Sequence, residues 1–456
     1  MSRLKYLLTA VLCTLVANVG LTSCLDEKED IAANPDCYAT VISLGKLKQR
    51  IDFHSSLTDR DTFFIDNLDC SAYPLTIDQI GGHIYNADSL PYGVDVSRVV
   101  FSKLSCVGGA FAIQRLTSFE DTTFVATDST DFTYPRLVTI YGQDQVSRRR
   151  YTMDIRAHKE HPDSMKWRRY GQSDDLAAMT ALNAQPLQEG VVCFGMKDGK
   201  AVCYADGVCT ALGADLMTRS IRAYRGALYG LNSAGVLMTS ADGHAWQEVS
   251  GAVRLQHLLG SSSVALYAID EGGRLVSSAD GAAWTAEPIE EQYPLPTAEI
   301  AVLAKQKTTD LALEDVLLVG QRDGAPCVWK RTIDHSGHYT MPWTYMPQGS
   351  DNTLPMPVLR QPSVMGYADG ALLIATGVNA DTIAAPRLSA DFGRTWTKGK
   401  IPALRSAAAT PAVAATVDAA QYVWVFCQGS GEIWRARLNR LGWQETQTAF
   451  TKAKKR

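Results

Sequence analysis

Two stretches of the chain decide its fold: residues 227–246 read ALYGLNSAGVLMTSADGHAW, and residues 265–284 read ALYAIDEGGRLVSSADGAAW. Eleven of the twenty positions are identical at a shift of 38 residues. Each copy predicts an apolar strand, a turn, a second strand, a tight Ser-Ala-Asp-Gly turn, and a tryptophan at the start of a further strand. Aspartate and glycine suit that turn because a carboxylate accepts backbone N–H groups and glycine tolerates positive φ. The pair therefore indicates repeated β-structure.

Weaker copies of this repeat extend in both directions along the chain. Residues 199–207 match residues 235–243, and degenerate copies are predicted at 334–343 and 439–443. Residues 389–396, SADFGRTW, follow the pattern S-x-D-x-G-x-T-W, which resembles the Asp-box of sialidase-like propellers; the two close copies lack one residue of it. The resemblance implies a structural turn at each box, formed by Ser240, Asp242, Gly243 and Trp246, by Ser278, Asp280, Gly281 and Trp284, and by Ser389, Asp391, Gly393, Thr395 and Trp396.

The spacing of the repeats predicts how they are arranged in space. The anchor positions 206, 242, 280, 334, 391 and 439 are separated by 36, 38, 54, 57 and 48 residues, which fits blades of four strands with variable loops. We predict an all-β protein with a six-bladed β-propeller over residues 167–450. Seven blades are the alternative, because the strand after Trp167 could form a further blade or close the ring by pairing into the last one.

The first residues predict an export signal and a lipid anchor. A short basic segment precedes an apolar run from Leu7 to Leu21, which is too short for a comfortable transmembrane helix. The run leads into LTSC, which resembles the lipobox of bacterial lipoproteins and implies that residues 1–23 are removed and Cys24 is acylated. An ordinary cleaved signal, with Cys24 as a bystander, is the alternative. Residues 24–36 form an acidic tether that resembles the surface-export signal of Bacteroidetes lipoproteins, so we predict an outer-membrane protein facing the cell exterior, with the periplasmic face as the alternative.

The region between the tether and the propeller lacks the repeat. Residues 37–157 show short alternating strands separated by turns, which suits an immunoglobulin-like β-sandwich, and residues 158–166 are predicted to link the two domains. The segments IYNADSLPYGVDVSRV (84–99) and GEIWRARLNRLGW (431–443) resemble a family of secreted Bacteroidetes lipoproteins of unknown function that pair such a sandwich with a propeller. The resemblance supports this layout and implies no activity. The last residues, 451–456, form a basic tail.

Composition argues against several classes of protein. A net charge of −4 over 456 residues provides no strong field to attract nucleic acid, so no nucleic-acid partner is predicted. Eight cysteines follow Cys24; they are scattered and form no CxxC pair, which argues against a structural zinc site and favours buried free thiols. Phosphate-loop, GxSxG and HExxH motifs are absent from the sequence, and we predict no cofactor and no metal.

The sequence also fails to indicate a catalytic site. The Asp-box accompanies sialidases, yet the resemblance places it in outer turns, remote from their central site. A sialidase needs an arginine triad, a tyrosine paired with a glutamate, and an acidic acid/base residue, and the early Arg-Ile-Pro motif of that family is absent from the sequence. Other glycosidases need two carboxylates about 5 to 10 Å apart, a requirement that only coordinates can test.

Binding is therefore the predicted role. A propeller presents loops around a central channel, and the long insertion 335–362 contains Tyr339, Trp343 and Tyr345, whose rings could stack on sugars or anchor a protein. Trp343 could instead be the core tryptophan of its own blade. We predict a non-catalytic surface lipoprotein that recognises a protein or glycan through the propeller face and meets the membrane through its anchor. The alternatives are a glycan-active hydrolase or lyase and a structural component of an envelope complex.

Overall fold

The structure is a computed structural model. It describes residues 34–55, 60–188, 190–251, 253–290, 293–307, 309–338, 341–349, 351–399 and 401–443. These residues divide into two compact units: unit 1 comprises the described residues up to Glu160, and unit 2 comprises those from His161 to Trp443. Within these ranges no helix is long and apolar enough to cross a membrane.

Unit 1 is built from strands that form one large sheet and two strand pairs. Its strands are β1 (Tyr38–Leu44), β2 (Lys46–Ser55), β3 (Arg60–Asp69), β4 (Leu75–Asp78), β5 (His83–Asn86), β6 (Phe101–Val107), β7 (Ala110–Gln114), β8 (Asp121–Thr123), β9 (Arg136–Tyr141) and β10 (Arg148–Asp154), with short 3₁₀ turns at Cys70–Ala72 and Val96–Arg98. The large sheet has the order β4-β5-β10-β9-β7-β8, while β1 pairs with β6 and β2 pairs with β3.

The core of unit 1 lies between the large sheet and the β1–β6 pair. Alternate side chains of β1, such as Ile42 and Leu44, are buried with Val138 of β9 and Tyr151 of β10. The Tyr151 hydroxyl accepts a hydrogen bond from the backbone N–H of Ala39 at 3.2 Å. This bond joins the two layers at a position where an unpaired buried hydroxyl would be costly.

Unit 2 continues the all-β pattern. Its strands are β11 (Arg168–Gln172), β12 (Thr180–Leu187), β13 (Gly190–Lys197), β14 (Lys200–Ala205), β15 (Val208–Ala211), β16 (Arg222–Tyr224), β17 (Ala227–Leu231), β18 (Leu237–Ser240), β19 (Gln247–Glu248), β20 (Leu255–Ser261), β21 (Leu266–Asp270), β22 (Leu275–Ser278), β23 (Thr285–Ala286), β24 (Ala298–Gln306), β25 (Leu313–Arg322), β26 (Ala325–Asp334), β27 (Thr344–Tyr345), β28 (Arg360–Tyr367), β29 (Gly370–Thr376), β30 (Arg387–Ser389), β31 (Val413–Val417), β32 (Val423–Cys427) and β33 (Glu432–Ala436). A short helix, α1 (Asp174–Ala178), precedes β12, and 3₁₀ turns lie at Thr218–Ser220 and Asn439–Gly442.

These strands form antiparallel meanders. The sheet orders are β12-β13-β14-β15, β16-β17-β18-β19, β23-β22-β21-β20-β24-β25-β26-β27, β28-β29-β30 and β11-β33-β32-β31. The eight-stranded sheet consists of two meanders joined through β20 and β24, which run parallel and pair at Gly260 and Val302. In each meander the first of the consecutive strands is the innermost; in the last meander this strand is β31, and β11 lies at the opposite edge.

The innermost strands form a closed ring. β12, β16, β20, β24, β28 and β31 are neighbours in that order, and β31 in turn lies beside β12. The backbones approach closely at Gly260, where an added Cβ would lie 2.0 Å from the carbonyl oxygen of Val302. Unit 2 is a β-propeller, because radial meanders around a ring of inner strands define that architecture.

The ring is closed by the start of the unit. The strand after Trp167 is β11, and it pairs with β33 from Arg168 opposite Arg435 to Gln172 opposite Glu432. It therefore forms the outer strand of the last meander rather than a sheet of its own. Closure of this kind removes an unpaired strand edge.

Apolar residues are buried between neighbouring meanders. One cluster, for example, joins Leu317 and Val328 of β25 and β26 to Leu373 of β29 and to Trp396, which is 2% exposed. Comparable clusters lie between each pair of adjacent meanders around the ring. The stability of the propeller therefore depends on contacts between repeats.

Each Ser-x-Asp turn begins at the end of the third strand of its meander. In the second copy, the Asp280 carboxylate accepts the backbone N–H groups of Ala282 and Ala283 at 2.9 and 3.1 Å, and the Ser278 hydroxyl accepts that of Gly281 at 2.8 Å. The Trp284 indole donates back to the Gly281 carbonyl at 2.9 Å. The turns at Ser240, Asp242, Gly243 and Trp246 and at Ser389, Asp391, Gly393, Thr395 and Trp396 repeat this pattern.

The weaker copies of the repeat have other local structures. Asp206 and Gly207 both have positive φ and form a two-residue hairpin between β14 and β15. Residues 439–442 form a 3₁₀ turn without an aspartate. The prediction of a box at 439–443 is thus wrong: no side chain caps this turn, and the Asn439 amide instead donates to the His161 carbonyl and the Ser164 hydroxyl, both at 3.0 Å.

Candidate functional site: the mouth of the propeller channel

The inner strands of unit 2 surround a cavity of about 540 Å³. Residues from all of the inner strands named above line it. Because these strands run in the same direction around the ring, their first residues meet at one end of the channel, which we call the channel mouth. A cavity of this size is typical of sites for small ligands.

The inner strands carry a recurrent irregularity at the channel mouth. The pairing of β12, β20, β24 and β28 with the next strand shifts by one residue within their first four residues, so each contains a β-bulge. Ala181, Glu299 and Gln361 occupy equivalent positions in three of these bulges, with φ of 51°, 50° and 50°. Positive φ is costly for residues other than glycine, and bulges re-aim side chains. The irregularity therefore turns bulge residues toward the channel mouth.

Many polar side chains in the channel are occupied in joining neighbouring inner strands. The Asn183 amide donates to the carbonyls of Thr218 and Ile221, both at 2.8 Å. The Ser261 hydroxyl donates to the Ala223 carbonyl at 2.8 Å, and the Ser363 hydroxyl accepts the N–H of Ala415 at 2.9 Å. These groups have a structural role and offer little to a ligand. Chemistry must therefore come from the polar groups that remain.

Three polar side chains at the channel mouth remain available. Gln256 and His257 are exposed at the bulge of β20, Gln361 is half-buried at the bulge of β28, and none of the three side chains has a hydrogen-bond partner within the described residues. Partial desolvation by the surrounding protein lowers the pKa of His257 below its usual value. Two amides and a neutral imidazole can each donate and accept hydrogen bonds.

Two arginines and one carboxylate add charge to the cavity. Arg219 donates to Glu299 at 2.8 Å, and this pair connects the 3₁₀ turn before β16 with the bulge of β24. Arg222 is half-buried and directs its guanidinium along the channel wall. Desolvation, with a smaller effect of the Arg219 charge, lowers the pKa of Arg222 to about 10, so it remains protonated at neutral pH.

The comparison with protein families agrees with the two units. Residues 161–446 match the DUF6242 beta propeller domain, and residues 42–155 match the N-terminal domain of the same family, whose function is unknown. The chain belongs to the DUF6242 family. Among curated proteins, no match to this DUF6242 chain was found.

Several solved structures are similar to the DUF6242 chain. An auxiliary nutrient binding protein from Bacteroides thetaiotaomicron VPI-5482 has 9% identity over 89% of this chain and 98% of its own, with a TM-score of 0.37. YCF48 from Cyanidioschyzon merolae has 10% identity over 59% of this chain and 98% of its own, with a TM-score of 0.31. A carbohydrate-active enzyme of family AA12 from Trichoderma reesei has 11% identity over 60% of this chain and 96% of its own, with a TM-score of 0.38.

The aromatic binding loop predicted from the sequence does not form in the DUF6242 propeller. Trp343 is fully buried; it packs edge-on against Tyr267 and donates its indole N–H to Glu287 at 2.8 Å. Tyr345 is half-buried and stacks on Tyr293 with ring centroids 4.4 Å apart. The prediction is wrong for these two residues because their rings fill space within the meanders. Tyr339 lies outside the described residues.

The cavity of the DUF6242 propeller contains one carboxylate. Glu299 is the sole acidic residue among the described residues that line it, and it is paired with Arg219. The described lining therefore lacks the pair of carboxylates that most glycosidases use as acid and base.

The described residues contain no cluster of three or more metal-ligating side chains. Their eight cysteines are all free thiols, and five of them are buried. Cys24 lies outside the described residues.

Sequence reasoning missed the residues at the channel mouth. Gln256 and His257 do leave a signal, because they interrupt an otherwise apolar strand, LQHLLGS, at residues 255–261. Glu299 and Gln361 leave none, since a bulge depends on the register with the neighbouring strand.

Proposed function

We propose that this protein is a binding module that takes a small, hydroxyl-rich ligand, a saccharide, at the channel mouth. One observation carries the proposal: Gln256, His257 and Gln361 converge from bulged strands with side chains that make no hydrogen bond to the described protein residues. A few polar side chains that the protein does not use internally, placed around a concave site, are the usual means of orienting a small ligand. Side-chain amides and a neutral imidazole suit hydroxyl groups, which both donate and accept hydrogen bonds.

The backbone strain at the bulges supports the same proposal. Positive φ at Glu299 and Gln361 costs about 1 kcal/mol or more at each residue. Strained, non-glycine conformations of this kind cluster at ligand sites, where rigid placement of a side chain improves binding by reducing the entropy lost. The rigid propeller strands, rather than a mobile surface loop, would hold the ligand.

Titration of the whole protein with a panel of mono- to tetrasaccharides tests the proposal. We expect at least one saccharide to bind, and Gln361→Ala to weaken its binding about tenfold, which is the effect of one or two lost hydrogen bonds in a partly desolvated site. The matched control is Gln247→Ala, an exposed glutamine of the outer strand β19, which leaves affinity unchanged. Failure of every saccharide to bind, or an equal loss in the control variant, would contradict the proposal.

The same samples separate binding from catalysis. A non-catalytic module returns each saccharide unaltered after prolonged incubation. Release of new reducing ends, or formation of a new carbon–carbon double bond, would instead favour a glycan-active hydrolase or lyase. Recovery of the native protein in a stoichiometric complex with other envelope proteins, without saccharide binding, would favour a structural role.

We further propose a number of propeller blades, a role for the Ser-x-Asp turns and a fold for unit 1. The propeller has six blades, with the last completed by β11, and the turns at Asp242, Asp280 and Asp391 are Asp-boxes that hold the blade corners. Unit 1 is an immunoglobulin-like β-sandwich, supported by the core between β1 and the large sheet, although its layers are less equal in size than usual. An experimental structure with a different number of blades would refute the first part.

The proposed location is the outer face of the outer membrane, with acylated Cys24 as the anchor. The tests are incorporation of radiolabelled palmitate and protease accessibility on intact cells. We expect Cys24→Ala to abolish labelling and to release the protein from the membrane fraction. Undiminished labelling of the variant would exclude this anchor, and protection from protease in intact cells would place the protein on the periplasmic face.

A further inference from the structure

Arg222, the first residue of β16, lines the propeller channel, and three hydrogen bonds constrain its side chain. Its Nε donates to the Leu259 carbonyl at 2.8 Å, and its Nη1 donates to the carbonyls of Arg219 and Ile221 at 2.8 and 2.7 Å. Three backbone acceptors therefore fix the plane of the guanidinium. The side chain cannot swing out to solvent without breaking all three bonds.

The third guanidinium nitrogen of Arg222, Nη2, takes no part in these three hydrogen bonds. Within the described residues it has no hydrogen-bond partner, and Arg222 forms no ion pair with any carboxylate there. The acidic residue of the cavity, Glu299, is bound by Arg219 instead. An arginine that only joined two strands would need no donors beyond those it already uses. Because Arg222 lines the cavity, the two N–H groups of Nη2 are the donors of this side chain that remain for a ligand.

The residues that line the cavity carry a net positive charge, which favours an anionic ligand. Arg219 and Arg222 contribute two positive charges and Glu299 one negative charge, which leaves a net charge of +1 on the described lining residues. His257 adds no charge at neutral pH, since partial desolvation lowers its pKa. A cation that is removed from bulk water without a counter-charge is energetically costly. A bound anion would offset that cost.

We propose that the ligand carries an anionic group, a carboxylate or sulfate, that accepts a hydrogen bond from Arg222 Nη2 while the glutamines at the channel mouth bind its hydroxyls. The ligand is therefore an acidic saccharide, and this inference rests on the proposed saccharide site. Because Nε and Nη1 are already occupied, the anion meets one nitrogen rather than the two-pronged fork that arginine usually presents. Such a contact selects charge more than shape, so carboxylate and sulfate are both acceptable.

The test compares saccharides of the same length that carry a carboxylate, a sulfate or a neutral ester. Trigalacturonate, its fully methyl-esterified form and a sulfated trisaccharide are titrated into the whole protein by calorimetry. We expect the acid or the sulfate to bind about tenfold to a hundredfold more tightly than the neutral ester, as for a charge-assisted hydrogen bond. Raising the salt concentration from 0.05 to 0.5 M should weaken binding of the charged form and leave the ester unaffected. Preference for one charged form over the other identifies the source of the anion.

Two variants test whether the preference for the charged saccharide depends on Arg222. Arg222→Gln should remove the preference for the charged form, whereas Arg254→Gln, which removes an exposed arginine outside the cavity, should preserve it. If Arg222→Gln does not fold, the ester comparison and the salt series with the native protein still decide the question.

The outcomes separate the two proposals. Equal affinity for acid and ester would overturn the anionic ligand and leave the saccharide site standing. Absence of binding by all charged and neutral saccharides would overturn both. Binding of an acidic peptide in place of any saccharide would overturn the assignment of ligand class.

Discussion

Replacement of Gly260 by alanine offers a direct test of the ring of inner strands. The new Cβ would lie 2.0 Å from the Val302 carbonyl oxygen and 2.7 Å from its carbonyl carbon. Ordinary non-bonded contacts lie at about 3.5 Å, so β20 and β24 would have to separate by roughly 1.5 Å. The opposing atoms belong to the backbone, and no side-chain rotation relieves the clash.

The expected cost follows from this separation. Overpacking in a well-packed interior costs typically about 1–3 kcal/mol, and the upper half of that range applies because the Gly260–Val302 pairing is also lost. For a propeller of this size about 1 kcal/mol shifts the melting temperature by about 2 °C, so Gly260→Ala should lower it by about 4–6 °C. Differential scanning calorimetry of the whole protein measures this shift.

A second glycine provides the matched control. At Gly171 the nearest atom to an added Cβ is Ile433 Cδ1 at 3.8 Å, and the residue does not have positive φ. Gly171→Ala should therefore be neutral or stabilise the protein by up to about 1 kcal/mol, through the reduced entropy of the unfolded chain. Equal melting temperatures for the two variants would refute the close approach of β20 and β24.

Three further predictions concern the turns, the core and the mouth of the channel. Backbone N–H groups of Ala245 and His244 lower the pKa of Asp242 to about 2, against 3.8 for an ordinary carboxyl. The unfolded chain therefore binds the proton first, so this stabilisation is present above about pH 4 and is lost as the pH falls toward 2; Asp242→Asn should flatten that part of a urea-denaturation series. Trp396→Ala should cost about 3–5 kcal/mol by urea denaturation, and Trp246→Ala clearly less, because Trp396 is 2% exposed and Trp246 is half-buried. Glu299→Gln frees Arg219 and should tighten binding of trigalacturonate severalfold; weaker binding would contradict a cationic channel mouth.

The repeat could be predicted from sequence because its hydrogen bonds are local. Asp280 accepts from residues two and three positions ahead, and Trp284 returns to a residue three positions back, so a window of a few residues encodes the turn. The family match bears out a propeller over most of the predicted range. The sequence left two roles open for the strand after Trp167, and its pairing with β33 requires residues more than 250 positions apart.

The candidate site could not be predicted in the same way. Gln256, Glu299 and Gln361 are far apart in the chain and share no motif. The aromatic residues of the insertion 335–362 predicted a binding loop, yet the Trp343 ring is fully buried inside its meander. A sequence pattern reports which residues are apolar, whereas the path of the neighbouring strands decides which of them are covered.

The sequence by itself determined the repeat, the turn chemistry and the all-β class, since each depends on neighbours a few residues away. Only the tertiary structure decided where strand register slips at the channel mouth, and that slip turns Gln361 toward a cavity shared by strands from the whole ring. The tertiary structure also decided the orientation and desolvation of the Arg222 guanidinium, whose three carbonyl partners come from two separate meanders. The physical reason is that a bulge or a desolvated charge is a property of the elements that surround a residue, and these are assembled from distant parts of the chain.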